Sequence, residues 1–156
     1  MTDQDAQGGA LQPLPPEERL RDQLARLQAD FENYRRRTEK QMARVVNEAK
    51  EELMERLLPV LDDFDHALKA IPADDGPARK GVEIISRKLF SALQKEGLER
   101  LGKEGEPFNA EIHEVAATEE GEDGQDDVVT GVLRSGYRVG ERLLRPAKVT
   151  VAVSKR

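Results

Sequence analysis

The chain has 156 residues, 37% of them apolar and 36% charged, with four Phe, two Tyr and no Trp. So thin a supply of large apolar side chains excludes one large spherical core and favours an elongated or oligomeric molecule that buries a narrow stripe. A net charge of −6 weighs against general nucleic-acid binding, and the lack of Cys excludes disulfides, thiolate metal sites and cysteine nucleophiles.

Residues 1–16, MTDQDAQGGALQPLPP, combine Gly, Gln, Asp and three prolines and read as a disordered tail. The segment is acidic and lacks an apolar stretch flanked by Lys or Arg, so it is not a secretory signal. No run approaches the roughly 18 apolar residues of a membrane span. With no Cys to oxidise, a reducing cytoplasm is the expected location and no membrane is involved.

Between residues 17 and 58 there is neither Gly nor Pro, and the segment is filled with Arg, Glu, Leu, Ala and Gln. These are good helix formers, and at about 1.5 Å per residue they predict a rod of roughly 60 Å. Its apolar stripe runs Leu20, Leu24, Leu27, Phe31, Tyr34, Thr38, Met42, Val45, Ala49, Leu53, Leu57, Val60 and Phe64. Twelve steps cover 44 residues, a period near 3.67. A strict heptad would impose a left-handed supercoil, whereas this longer rhythm predicts two parallel helices that coil little. Ten acidic and ten basic residues between positions 17 and 56 leave the remaining faces mixed and solvated.

Pro59 is expected to end or kink the rod near residues 56–58. A second helix over 60–71 carries Phe64 and Leu68 on one side. A third, over 78–96, carries Val82, Ile85 and Leu89, and Gly97 stops it. Two such short helices are too few for a core, but doubled in a homodimer they make a four-helix bundle. From residue 98 the spacing changes to short runs bounded by Gly and Pro. HEVAATEE reads as a strand. VVTGVLRSGYRVGERLLRPAKVTVAVSK reads as short antiparallel strands with turns at Ser135-Gly136 and Val139-Gly140. The fold class is therefore α+β: a tail (1–16), a long dimerising helix (17–58), a dimeric bundle (59–97) and a small β-rich C-terminal domain (98–156).

Enzyme signatures are missing. There is no GxxxxGK[ST] loop and no HExxH, and His66 and His113 are the only histidines. One histidine per domain makes no metal cluster without Cys, and both read as structural. Asp62, Asp63 and Asp65 read as helix-face solvation rather than a catalytic pair. The stretch EEGEDGQDD (119–127) holds six acids but lacks the one-three-five spacing and closing Glu of a calcium loop, so it reads as a solvated loop. No catalysis, metal or cofactor is expected.

Residues 131–156 contain Arg134, Arg138, Arg142, Arg145, Lys148, Lys155 and Arg156 against one acid, Glu141, whereas 98–130 is strongly acidic. This asymmetry suits an oriented docking surface that steers toward an acidic partner. Nucleic acid is a poorer fit, because the region offers only Phe108 and Tyr137 for stacking. A plain structural tether is the competing class.

Five segments, in order, resemble the GrpE family: FENYRRRTEK (31–40), LLPVLDDFDHAL (57–68), KGVEII (80–85), PFNAEIHE (107–114) and GYRVGERLLRPAKVTV (136–151). These proteins are the nucleotide exchange factors of the bacterial DnaK chaperone. The last segment is the most specific, with Gly136-Tyr137, Glu141, Leu144-Arg145, Ala147, Val149 and Val151 in the family's spacing. Asn109-Ala110 departs from the usual Asp-Pro, and Val115 stands where Ala is common. The resemblance implies a parallel homodimer with paired helices, a central bundle and two β-domains, one of which engages the ATPase domain of a DnaK-type chaperone while the rod reaches toward its peptide-binding domain. By motif it implies partner contacts at Arg35, Arg44, Gly81, Leu133, Arg142 and Val151. The long helix would also act as a thermosensor.

Overall fold

The computed structural model describes Pro13 and residues 15–74, 76–121 and 127–153. Most of the expected tail, the middle of the acidic loop, and Lys155 and Arg156 lie outside these residues. Helix α1 spans Pro16–Ala70 and α2 spans Gly76–Lys95. Six strands follow: β1 (Leu98–Leu101), β2 (His113–Glu120), β3 (Val128–Arg134), β4 (Gly136–Val139), β5 (Arg142–Arg145) and β6 (Ala147–Val153). The chain forms two compact units, residues 1–46 and 47–156.

The first unit is helical, and its apolar stripe is exposed. The break expected at Pro59 is absent, since α1 continues through it to Ala70. Proline removes one backbone donor and crowds the preceding turn, a cost of about 3 kcal/mol in a helix interior. Here Pro59 lies on the exposed side, where water can satisfy the freed carbonyl. Met54, Leu58 and Leu61 on the buried side pin the helix on both sides of the proline to one core. Each such burial contributes about 1.5–3 kcal/mol, so packing outweighs the local penalty. Past Ala70, the Arg79 guanidinium caps the helix by donating to the carbonyls of Leu68 (2.7 Å) and Ile71 (3.1 Å). At the far end of α2, Gly97 adopts φ 103° and stops the helix as expected.

The strands make two three-stranded sheets, ordered β1-β4-β5 and β2-β6-β3. The first is antiparallel throughout. In the second, β3 runs antiparallel to β6 but β2 runs parallel to it, a pairing the expected antiparallel set did not include. Strand β1, which the residue pattern left unassigned, places Leu98 and Leu101 inward. Ser135-Gly136 is no hairpin turn: it carries the chain from the second sheet into the first, and Pro146 carries it back. At this crossing the backbones of Gly136 and Ala147 touch. A Cβ on Gly136 would sit 2.4 Å from the Ala147 amide nitrogen.

Two cores result. Met54, Leu58, Leu61, Leu93, Leu98 and Tyr137 form the larger, joining both helices to the first sheet. Val129, Ala147, Val149 and Val151 form the smaller, under Phe108 and Val132. Arg100 and Arg145 flank the Tyr137 ring, their guanidinium carbons 5.7 and 5.3 Å from its centroid. Asp62, expected to be a solvated helix-face acid, is instead half-buried in a bidentate pair with Arg145, with Arg134 3.5 Å away. Burial raises its pKa, but the hydrogen bonds and charges of the two arginines more than offset this and hold the carboxyl below its usual 3.8.

Three expectations follow. Gly136→Ala should cost about 2–4 kcal/mol in urea unfolding, because backbone cannot yield to the new methyl. By contrast, a Cβ at helical Gly81 meets nothing within 4 Å, so Gly81→Ala should leave stability unchanged or raise it by up to about 1 kcal/mol. Because the Asp62 pKa is lowered on folding, its stabilisation is present above the ordinary carboxylate value and lost as pH falls through the folded value. Asp62→Asn should therefore cost about 1–3 kcal/mol near neutral pH, and the gap from the parent should close in strong acid. A gap independent of pH would mean that the ion pair contributes nothing.

Candidate functional site

The residues expected to meet a partner fall on several elements. Arg35 and Arg44 are exposed on α1 in the first unit, with Arg35 3.8 Å from Glu39 one turn on. Gly81 lies exposed on α2, with open space within the chain where a side chain would be. Leu133, on β3, is 59% exposed and lines an open cleft with Asp62, Asp65, Arg79, Arg100 and Arg134. Arg142 opens β5 and lines a different cleft, with Asn47, Lys50, Glu51, Glu96 and Gly140. Val151 is 3% exposed in the smaller core, so it offers no side chain to a partner. The structure thus gathers no single pocket from this set.

The residues expected at a dimer face divide more sharply. Leu20, Leu24, Leu27, Phe31, Tyr34, Met42, Val45 and Leu53 are 58–67% exposed. Ile85 on α2 is likewise exposed, whereas Phe64, Leu68, Val82 and Leu89 are half-buried. On a single chain such a row of large apolar side chains has nothing to cover it.

Charge supplies the main surprise. The expected basic surface is matched, arginine by arginine, with acids from distant elements. Arg138 pairs with Glu99 on β1 (2.6 Å), Arg142 with Glu51 on α1 (2.5 Å), and Arg134 and Arg145 share Asp62. Lys148 stands 3.9 Å from Glu114 on β2. Beside Arg142, Lys50 bonds Glu96 at 2.7 Å and holds that carboxyl below its ordinary value. Glu51 was not singled out by the sequence, and Asp62 read there only as a solvated helix-face acid. Their role depends on residues 91 and 83 positions away, and no local pattern signals it.

His113 is buried with both ring nitrogens engaged. The Asn109 amide donates to Nδ1 (3.1 Å), which fixes the proton on Nε2, where it is donated to Glu106 (2.8 Å). Asn109 also accepts the Glu111 amide through its side chain (2.9 Å), an Asx-type turn. His66 is exposed. Among the described residues, no three His, Cys, Asp or Glu side chains are placed to hold a metal, and no helix is long and apolar enough to cross a membrane.

Comparison with known proteins agrees with the motif reading. The GrpE family model matches residues 16–153, which takes in both helices and all six strands. Protein GrpE of Streptomyces griseus is 42% identical over 129 residues, covering 83% of this chain and 57% of that protein. Protein GrpE of Parageobacillus thermoglucosidasius is 38% identical over 136 residues, covering 85% and 60%. Protein GrpE of Thermus thermophilus is 40% identical over 137 residues, covering 88% and 76%. The chain spans less than two thirds of the first two relatives. With the family model spanning the long helix, the short helix and both sheets, and relatives about 40% identical over more than four fifths of the chain, this chain belongs to the GrpE family.

Proposed function

We propose that this chain is a homodimeric, non-catalytic nucleotide exchange factor acting on a DnaK-type chaperone in the cytoplasm. The observation that supports this most is the family match over residues 16–153, which unites the stripe-bearing helix with the β-region. The exposed row from Leu20 to Val45 supports the dimer, since two parallel helices would cover each other's stripe. Exposed Ile85 and half-buried Phe64, Leu68, Val82 and Leu89 would then meet their counterparts in a four-helix bundle.

The mechanism is one of linkage. A protein that binds the open nucleotide cleft of the chaperone better than the closed one weakens ADP binding by the same factor. Faster ADP release then frees the client peptide. The β-region would hold the ATPase domain open through Arg142 and Leu133, both at least half exposed. Arg35 and Arg44 on the rod would reach the chaperone's linker or peptide-binding domain. No bond is made or broken by this chain, and no cofactor or nucleic acid takes part. The rod buries little area per turn at Thr38 and Ala49, so its fraying would withdraw those contacts and slow exchange as temperature rises.

Sedimentation with light scattering should give about twice the 17.5 kDa chain mass; a monomer at micromolar concentration would sink the architecture. ADP release from the chaperone should accelerate when the protein is added. Arg142→Ala should lower that acceleration about tenfold or more, since losing a charge-assisted interface contact costs about 2–5 kcal/mol. Arg138→Ala, whose partner is Glu99 on its own sheet, should change it less than about threefold. Followed against temperature, acceleration should fall before residues 47–156 unfold. If the parent leaves ADP release at its intrinsic rate, the chain is a tether rather than an exchange factor.

A further inference from the structure

Strand β5 is four residues long, and an arginine stands at each end. In a regular strand, residues three apart face opposite sides of the sheet. Here they do not. Val139 is paired with Arg142, Arg138 with Leu143, and Tyr137 with Arg145, so Leu144 is an extra residue with no partner of its own on β4. This bulge reverses the alternation. Arg142 and Arg145 therefore both stand opposite residues of one β4 face, the face that sends Tyr137 and Val139 into the core formed with α1.

Helix α1 answers with two acids at matching positions. Glu51 and Asp62 are eleven residues apart, about three full turns, and so lie on the same helix face. Glu51 takes Arg142 and Asp62 takes Arg145. The two pairs differ in exposure. Arg145 is 12% exposed and its donors are used by Asp62 and by the Ser135 carbonyl. At the other end the exposure is reversed: the Glu51 side chain is 18% exposed and the Arg142 side chain 51%. The carboxylate is thus the inner, anchored half, and it engages one terminal nitrogen of the guanidinium. A guanidinium has five N–H donors in a rigid fork, so engaging one terminal nitrogen leaves other donors of the half-exposed Arg142 over for a partner.

We infer that Glu51 is a positioning residue, which with the Leu144 bulge holds Arg142 extended and pre-aimed toward an anionic or carbonyl-rich surface of the partner protein. The inference rests on the reading of Arg142 as a chaperone contact. An unrestrained arginine loses its rotamer freedom on binding, whereas one already fixed by Glu51 has lost it on folding. Glu51 therefore acts on affinity without touching the partner.

Two measurements test this. In the free protein, NMR relaxation at Arg142 Nε should show markedly greater mobility in Glu51→Ala than in the parent, and unchanged relaxation would overturn the inference without any appeal to exchange. In the ADP-release assay, Glu51→Ala should weaken acceleration roughly three- to tenfold in the parent and leave Arg142→Ala unchanged. Glu52→Ala, whose partner is Arg56 on the exposed face, controls for loss of a helix charge and should match the parent. An equal loss in both backgrounds would mean that Glu51 supports the fold alone, which overturns its positioning role. No loss from Glu51→Ala where Arg142→Ala is impaired removes the positioning but keeps the contact. If Arg142→Ala is itself silent, contact and positioning fall together.

Discussion

Three side chains on one face of α1, Met54, Leu58 and Leu61, are walls of a core whose other walls come from α2, β1 and β4. The first sheet is too small to enclose anything by itself, with four residues in each of its strands. Its inward residues Leu98 and Tyr137 are nonetheless fully buried, because Met54, Leu58 and Leu61 of α1 pack in the same core. At about 1.5–3 kcal/mol for each buried side chain, this contact is large enough to fix the strands and to carry the helix through Pro59. The second sheet depends on the first in turn. The chain leaves and re-enters it at Ser135 and Pro146, where the lack of a side chain at Gly136 lets the two backbones meet.

Around that core the charges follow an order set by burial. Asp62 is shielded and shared between two arginines, which is the arrangement that keeps a half-buried carboxylate ionised. Glu51 is more exposed on its partner's side, and Lys50–Glu96 and Glu99–Arg138 are open to water, where an ion pair contributes about 0–1 kcal/mol. Under the proposed reading, stability and recognition draw on different members of one row. The inner pair holds the strand to the helix, and the outer pair leaves its arginine available.

What the sequence disclosed follows from the range of the forces involved. Helical periodicity is local, so the stripe from Leu20 to Leu53 and the second stripe on α2 were legible directly, as was the stop at Gly97. Strand β2 and the terminal alternation of β6 were legible for the same reason. Pro59 misled, because a local penalty was read without the long-range packing that overrides it. Strand β1 is four residues with a Glu and an Arg at its centre, too short for alternation to register. The parallel β2–β6 pair joins the first and last strands of its sheet, a choice that no turn motif encodes. Of the residues expected to meet a partner, Leu133 and Arg142 are at least half exposed but Val151 is interior, since a motif names residues and not which way they point.

The basic run from Arg134 to Lys148 shows the same limit more sharply. Counted along the chain it is a patch of positive charge opposed only by Glu141; in space every one of its five cations has a carboxylate within 4 Å. Net charge along a segment thus says little about the field a partner would meet, because opposite charges from α1, β1 and β2 are folded against it. Under the proposed reading, recognition by such a surface rests on the donors left over after pairing. Long-range attraction matters less there than the fixed placement of those donors, and a face built this way discriminates by geometry.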